Sequence, residues 1–120
     1  MDTLINLAKL AAEQSLYLLD QVPKENIGDI RRQLKRSCLS IPSNVSEGIG
    51  RRSKSVKDCN RFFAIALGST KEAITQFEIL QKVRPFYAKN ISDVLSFLFG
   101  IEHALEFELG VIVIPTEEKL

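Results

Sequence analysis

The chain has 120 residues, of which 45% are hydrophobic and 26% are charged. This length suits one compact domain, and this composition is that of a folded globular protein rather than a disordered chain. No apolar stretch approaches the roughly 20 residues of a bilayer span, no signal peptide is recognisable, and two cysteines are too few for a disulfide framework, so we expect a cytoplasmic protein without membrane contact.

Helical periodicity is evident from the first residues. Apolar side chains recur at spacings of three and four over about residues 2–22, just ahead of Pro23, and they predict a first helix. A second helix is predicted over about residues 26–48, where the apolar stripe keeps its phase across Pro42. Since proline lacks an N–H and crowds the preceding turn, we expect one helix kinked at Pro42 rather than two helices. Gly48 and the glycine two residues later predict its end.

The second half of the chain has the same pattern. A third helix is predicted over about residues 54–84, with Ser55 in a capping pattern at its start and Pro85 just after its end. A fourth helix is predicted over about residues 91–110. The apolar tail at residues 111–120 is open to two interpretations, a strand-like tail or an extension of the helix.

Four helices of about 20 residues with short connections predict an all-α, antiparallel up-down four-helix bundle, with residues 1–120 as a single domain. Helices 3 and 4 carry more apolar surface than one bundle face buries. A second apolar face indicates either burial between subunits or cover by neighbouring loops and the tail. We favour a homo-oligomer, whose interface residues are predicted to be Ile65, Ile79, Val83, Phe97, Phe99 and Phe107.

A family resemblance rests on four segments. They are residues 22–25 (VPKE), 33–37 (QLKRS), 40–48 (SIPSNVSEG) and 61–72 (RFFAIALGSTKE). With them the chain resembles the 23S rRNA intervening-sequence proteins, which also bear a ribosomal-protein label, although the family usually has Asn-Ile-Ala-Glu-Gly at the position of residues 44–48. The resemblance implies a left-handed four-helix bundle, a tendency to form homopentamers and no established enzymatic activity. It also implies kinship with the accessory proteins of diversity-generating retroelements, whose basic pentamers bind nucleic acid and a reverse transcriptase.

The signature segments also have a structural interpretation. Structural roles are predicted for Pro42, Asn44, Glu47, Gly48, Gly68 and Ser69. Asn44 and Glu47 flank the apolar stripe, and we expect them to hydrogen-bond to neighbouring helices. Glycine within a helix costs about 1 kcal/mol relative to alanine, so Gly48 and Gly68 predict the close approach of another backbone. A functional pocket at these residues is the alternative.

Catalytic chemistry finds little support in the sequence. His103 is the only histidine, which leaves no partner for a nucleophilic triad or a histidine-based metal site. Glu102 and Glu106 share a helix face, but the Glu-x-x-His pairs of di-metal bundles are missing. Gly48 and Gly50 precede basic residues without the Gly-Lys-Ser/Thr ending or the strand of a phosphate-binding loop. We therefore expect no catalytic residues, no metal and no cofactor.

Charge is unevenly distributed despite a net charge of +1. Residues 31–61 contain nine Lys and Arg and two acidic residues, whereas residues 86–120 contain two Lys or Arg and six acidic residues. Candidate nucleic-acid-binding residues are Arg32, Arg36, Arg51, Arg52, Lys54, Lys57 and Arg61.

Several of these candidates surround the exposed connection that precedes helix 3, whose free N–H groups favour an anion. We expect sequence-independent, salt-sensitive contacts to the phosphates of RNA or DNA. Ion pairing with the acidic C-terminal region, a head-to-tail contact between subunits and a protein-binding scaffold are the alternatives. No recognition motif is present, and aromatic residues are not expected among the basic ones.

Overall fold

The computed structural model describes residues 2–111 and folds them almost entirely into helices. The helices are α1 (Asp2–Gln21), α2 (Gly28–Arg51), α3 (Val56–Val83) and α4 (Ala88–Glu108), with a 3₁₀ turn at Pro85–Tyr87. Helix α1 packs on α2 and α4, and α3 packs on the same two helices, so the four form a closed bundle. The predicted all-α four-helix bundle is confirmed. The predicted tail lies, beyond Val111, outside the described residues.

Helix α2 differs from its prediction at its C-terminal end. Pro42 lies inside one continuous helix, as expected, and the kink stays a prediction. The helix does not end at Gly48, because its last turn continues to Arg51, and Arg52 caps it in a right-handed conformation with its N–H on the carbonyl of Ile49. Gly48 lies inside the helix with the Phe63 ring of α3 against it, so this glycine accommodates a close contact rather than a helix end.

The ends of α3 and α4 follow local rules. Ser55 has extended backbone angles, and its hydroxyl accepts a 3.0 Å hydrogen bond from the N–H of Asp58, so the predicted N-cap is confirmed. Helix α4 begins three residues before the predicted start because the 3₁₀ turn that Pro85 initiates leads directly into it. At its other end Gly110 has a φ of 73°. There the N–H groups of Gly110 and Val111 bond to the carbonyls of Phe107 and Glu106, a Schellman cap.

All four helices contribute to one cluster of buried apolar side chains. Phe63 and Phe77 are its largest members, and both cysteines, Cys38 and Cys59, are buried in it as free thiols. No helix within residues 2–111 has the length and apolar character needed to cross a membrane. The core therefore fixes α3 against α2, and this contact positions the basic side chains described next.

Candidate nucleic-acid interface

The end of α2, the turn at residues 52–55 and the start of α3 form a corner of the bundle, called here the α2–α3 corner. Two backbone hydrogen bonds close the turn, from the N–H groups of Lys54 and Ser55 to the carbonyl of Arg51, at 3.0 and 2.9 Å. A cleft of about 310 Å³ opens at the corner, and its lining residues are Ser46, Glu47, Gly50, Arg51, Lys54, Ser55 and Asp58.

Arg51 is the best-anchored cation of the corner. It is the last residue of α2 and not part of a loose connection. Its Nε and Nη2 donate to Glu47 Oε2 at 3.2 and 3.1 Å, and its Nη1 lies 3.6 Å from Asp58 Oδ2. The guanidinium carbon also lies 5.0 Å from the centroid of the Phe62 ring. Two carboxylates and an aromatic ring therefore fix the orientation of this side chain.

Phe62 brings an aromatic ring into the basic cluster, so the expectation that aromatic residues stay apart from the basic ones is wrong. The guanidinium carbon of Arg61 lies 4.5 Å from the ring centroid, and that of Arg51 is also within cation–π range. Arg61 also lies 4.0 Å from Asp58. The adjacency of Arg61 and Phe62 in the sequence was the available signal, but the approach of Arg51 depends on the packing of α2 on α3.

The other three candidate basic residues of the corner differ in whether they form an ion pair. Arg52 pairs with Glu108 of α4 at 3.3 Å, which is the predicted alternative of ion pairing with the acidic C-terminal region. Lys54 and Lys57 are exposed, and neither makes an ion pair within residues 2–111. The α2–α3 corner therefore combines arginines held by carboxylates with two lysines that make no ion pair with the described residues.

Arg32 and Arg36 do not belong to the corner. With a rise of 1.5 Å per residue, Arg36 is about 22 Å along α2 from Arg51. Arg32 is exposed and pairs with Asp29 of its own helix. The seven candidates therefore do not form one continuous patch.

The acidic residues of α4 also have a partner outside the corner. Lys71 Nζ donates to Glu102 at 2.9 Å and to Glu106 at 3.0 Å. These two bonds are the main cause that raises the pKa of Lys71. Two of the six acidic residues counted in the C-terminal region therefore already pair with a lysine of α3 and not with the basic cluster.

The two signature glycines differ in their surroundings. A Cβ atom at Gly48 would lie 2.6 Å from Cδ1 of Phe63 and 3.1 Å from the carbonyl oxygen of Cys59, so the predicted close approach is present there. Gly68 is exposed, and a Cβ atom at this position would meet no atom within 4 Å. Within one chain, the prediction of a close approach at Gly68 is therefore wrong.

The polar signature residues bond differently from the expectation. Asn44 Nδ2 donates to the carbonyl and the hydroxyl of Ser40 at 2.9 and 3.0 Å, and Glu47 pairs with Arg51, in both cases within α2. The contact between helices is made instead by Ser40 Oγ and Ser69 Oγ, which are 2.8 Å apart. Asn44 thus supports the contact indirectly, because it bonds to the same Ser40 hydroxyl that meets Ser69 of α3.

Most of the predicted interface residues point outward. Exposure is between 45% and 51% for Ile65, Ile79, Val83, Phe99 and Phe107. Phe97 differs, because it packs against the core and lines a smaller cleft of about 130 Å³ between α1 and α4. Five of the six predicted interface residues therefore lie exposed on the outer surfaces of α3 and α4, and Phe97 does not.

No group of three potential metal ligands occurs within residues 2–111. The family model described as 23S rRNA-intervening sequence protein matches residues 4–105 of the chain. No curated protein matches the chain. The matched range takes in all of α2 and α3, most of α1 and α4, and the whole of the α2–α3 corner.

Proposed function

Because the chain belongs to the 23S rRNA-intervening sequence protein family, we propose that it is a non-enzymatic bundle that self-associates and binds RNA or DNA at the α2–α3 corner. The observation that carries the binding proposal is the pair Lys54 and Lys57, exposed and without an ion pair in the described chain, beside the first turn of α3. A helix N-terminus adds a partial positive charge and free N–H groups. A cytoplasmic location, in which the buried thiols stay reduced, is part of the proposal.

The salt dependence of binding should show how many of these lysines contact phosphates. Each phosphate contact to a single strand contributes about 0.7 to the slope of log affinity against log salt. Replacing Lys54 and Lys57 together by glutamine should therefore lower the slope by about 1.4 for each site engaged. The matched control is the double variant Lys9→Gln and Lys24→Gln, which removes two exposed lysines elsewhere and should leave the slope nearly unchanged.

Fluorescence anisotropy with labelled RNA and DNA of increasing length measures both the slope and the effect of repetition. Several corners on one oligomer raise the effective concentration for a long strand, so affinity should rise with strand length. The binding proposal fails if long RNA and long DNA both remain unbound at low salt.

Self-association is supported by the outward apolar residues of α3 and α4. Large apolar patches on monomers mark interaction sites, and the proposed pentamer follows the family resemblance alone. Light scattering after gel filtration should give an oligomer, and the double variant Ile65→Ser and Ile79→Ser should give a smaller species. Leu39→Ser is the matched control, since Leu39 is 50% exposed but lies on α2. A wild-type monomer at micromolar concentration contradicts the proposal.

A second candidate function, a scaffold for another protein, is supported by Phe86. Its side chain is 87% exposed at the turn between α3 and α4, and exposed aromatic residues are favoured anchors at protein interfaces. This candidate predicts a cellular partner that remains bound after nuclease treatment and is lost in Phe86→Ser. A partner that nuclease releases favours the nucleic-acid proposal instead.

A further inference from the structure

The cleft at the α2–α3 corner is lined by groups that a phosphate site does not need. Phosphate contacts require only cations and N–H groups, yet two carboxylates, Glu47 and Asp58, line the cleft together with Arg51 and Lys54. Carboxylates repel phosphates and accept hydrogen bonds. Their presence beside cations indicates a ligand that offers hydrogen-bond donors as well as negative charge.

Arg51 lines this cleft with a side chain that is held in place. Its guanidinium carbon lies 5.0 Å from the centroid of the Phe62 ring, while Glu47 and Asp58 hold its nitrogen atoms. Guanidinium planes are surfaces on which unstacked nucleobases pack. Because the side chain is already oriented, little conformational freedom is lost when a base stacks on it.

Glu47 keeps one oxygen available in the same place. Both of its hydrogen bonds from Arg51 go to Oε2, and Oε1 has no hydrogen bond within the described residues. The side chain is 51% exposed, so a ligand in the cleft can reach this oxygen. A carboxylate can accept several hydrogen bonds at once.

We propose that the α2–α3 corner binds one base of a single-stranded nucleic acid, with the base stacked on Arg51 and its donor edge on Glu47, and that the base is guanine. The inference rests on the proposed function, which it extends from phosphate contacts to recognition of a base. A volume of about 310 Å³ is at the lower end of the range for small-molecule sites, about 300–1,000 Å³, and gives room for a single base rather than a duplex.

Guanine is selected by its hydrogen-bonding edge. It carries two adjacent donors, the N1–H and the N2 amino group, and these match a carboxylate acceptor. Adenine and cytosine each place an acceptor beside their single amino group, and uracil places its N3–H between two carbonyl oxygens. Each of those arrangements brings an acceptor against the carboxylate, where it is left unpaired or repelled. Lys54, which lines the same cleft, can neutralise the phosphate of the bound nucleotide.

The experiment uses fluorescence anisotropy with the full chain and short labelled oligonucleotides. The probes are an all-uridine strand, the same strand with one central guanosine, and the same strand with one central inosine, whose base lacks the N2 amino group. The guanosine probe should bind about tenfold tighter than the uridine probe, a difference that corresponds to about 1.4 kcal/mol. The inosine probe should fall between the two.

Substitutions separate base recognition from phosphate attraction because they act in opposite directions. Glu47→Gln should abolish the guanosine preference while raising affinity for the all-uridine strand, since it removes a negative charge. Glu78→Gln, an exposed glutamate elsewhere on α3, is the charge-matched control and should preserve the preference. Arg51→Lys keeps the charge but loses the planar surface, so it should retain salt-dependent binding and lose the preference.

The outcomes distinguish this inference from the proposed function. Binding of all three probes with equal affinity overturns the base-recognition inference and leaves phosphate binding in place. A guanosine preference that survives both Glu47→Gln and Arg51→Lys also overturns it. Failure of every probe to bind, together with failure of long RNA and DNA, overturns both.

Discussion

The contact between Gly48 and Phe63 predicts that Gly48→Ala destabilises the protein, although ordinary helix propensity favours alanine over glycine. Gly48 lies inside α2, where alanine is normally about 1 kcal/mol more stable than glycine. In this bundle a Cβ atom would lie 2.6 and 2.7 Å from Cδ1 and Cε1 of Phe63. These distances are far below ordinary carbon–carbon contact, so either the ring or the backbone must move.

Neither neighbour can move at low cost. Phe63 is fully buried in the core, and the carbonyl oxygen of Cys59, 3.1 Å from the same Cβ position, belongs to the backbone of α3. Inserting a methyl group into a packed core typically costs about 1–3 kcal/mol, and this geometry places Gly48→Ala at the upper end. After the gain in helix propensity, we expect a net loss of about 1–2 kcal/mol in the free energy of unfolding.

Urea and thermal denaturation at one fixed protein concentration measure this change, since self-association makes the midpoint concentration-dependent. We expect the melting temperature of Gly48→Ala to fall by about 4–8 °C for a chain of this size. Gly68→Ala is the matched control, because its added methyl group meets no atom within 4 Å, and it should be neutral or stabilise by up to about 1 kcal/mol.

A double-mutant cycle with Phe63→Leu tests the cause. The smaller side chain should reduce the additional cost of the alanine, giving a coupling energy of about 1 kcal/mol. The reasoning is refuted if Gly48→Ala stabilises the protein, or if its cost is the same beside leucine as beside phenylalanine.

Two further predictions concern contacts inside the bundle. Ser69→Ala removes the 2.8 Å hydrogen bond to Ser40, so urea titration should show the free energy of unfolding lowered by about 1 kcal/mol. The control, Ser43→Ala, should show no comparable loss, because the exposed Ser43 hydroxyl bonds only within its own helix. Burial raises the pKa of the Cys38 thiol to about 11, opposed by the neighbouring Ser15 hydroxyl, so at pH 8 a thiol reagent should modify Cys38 no faster than the protein unfolds. Rapid labelling of native Cys38 at pH 8 contradicts that assignment.

The fold was predictable because its information is local and periodic. The apolar stripe of α2 continues through Pro42, and its members from Leu34 to Gly48 are buried in the core. Ser55 could be assigned as a cap from the sequence alone, since capping needs only the next three residues. The end of α2 could not be assigned in this way. A glycine at residue 48 suggests a helix terminus, yet this glycine lies inside the helix and against Phe63 of α3, a tertiary contact that the sequence pattern alone does not show.

The sequence predicted which residue types the site contains, but not which side chains contact one another. Charge counting located basic residues near the start of α3 and offered ion pairing with the acidic C-terminal region as an alternative, yet it did not show that Arg52 and Glu108 are the two residues that pair. Nor did it show that the guanidinium carbon of Arg51 would lie 5.0 Å from the centroid of the Phe62 ring. These pairings join residues from different helices, so they follow from how the helices pack rather than from spacing along the chain. The neighbours Arg61 and Phe62 gave only a partial signal.

These pairings change what the number of basic residues means for binding. When an arginine already paired with a carboxylate moves to a phosphate, the abandoned carboxylate attracts a counterion, so little net counterion release results. An arginine that stays paired, as Arg51 does with Glu47, neutralises no phosphate and adds equally little to the salt dependence. Seven independent phosphate contacts to a single strand would give a slope near 5, whereas Lys54 and Lys57 alone give about 1.4 for each subunit in contact. The salt slope therefore reports the unpaired cations, and the paired arginines contribute orientation and stacking surface instead.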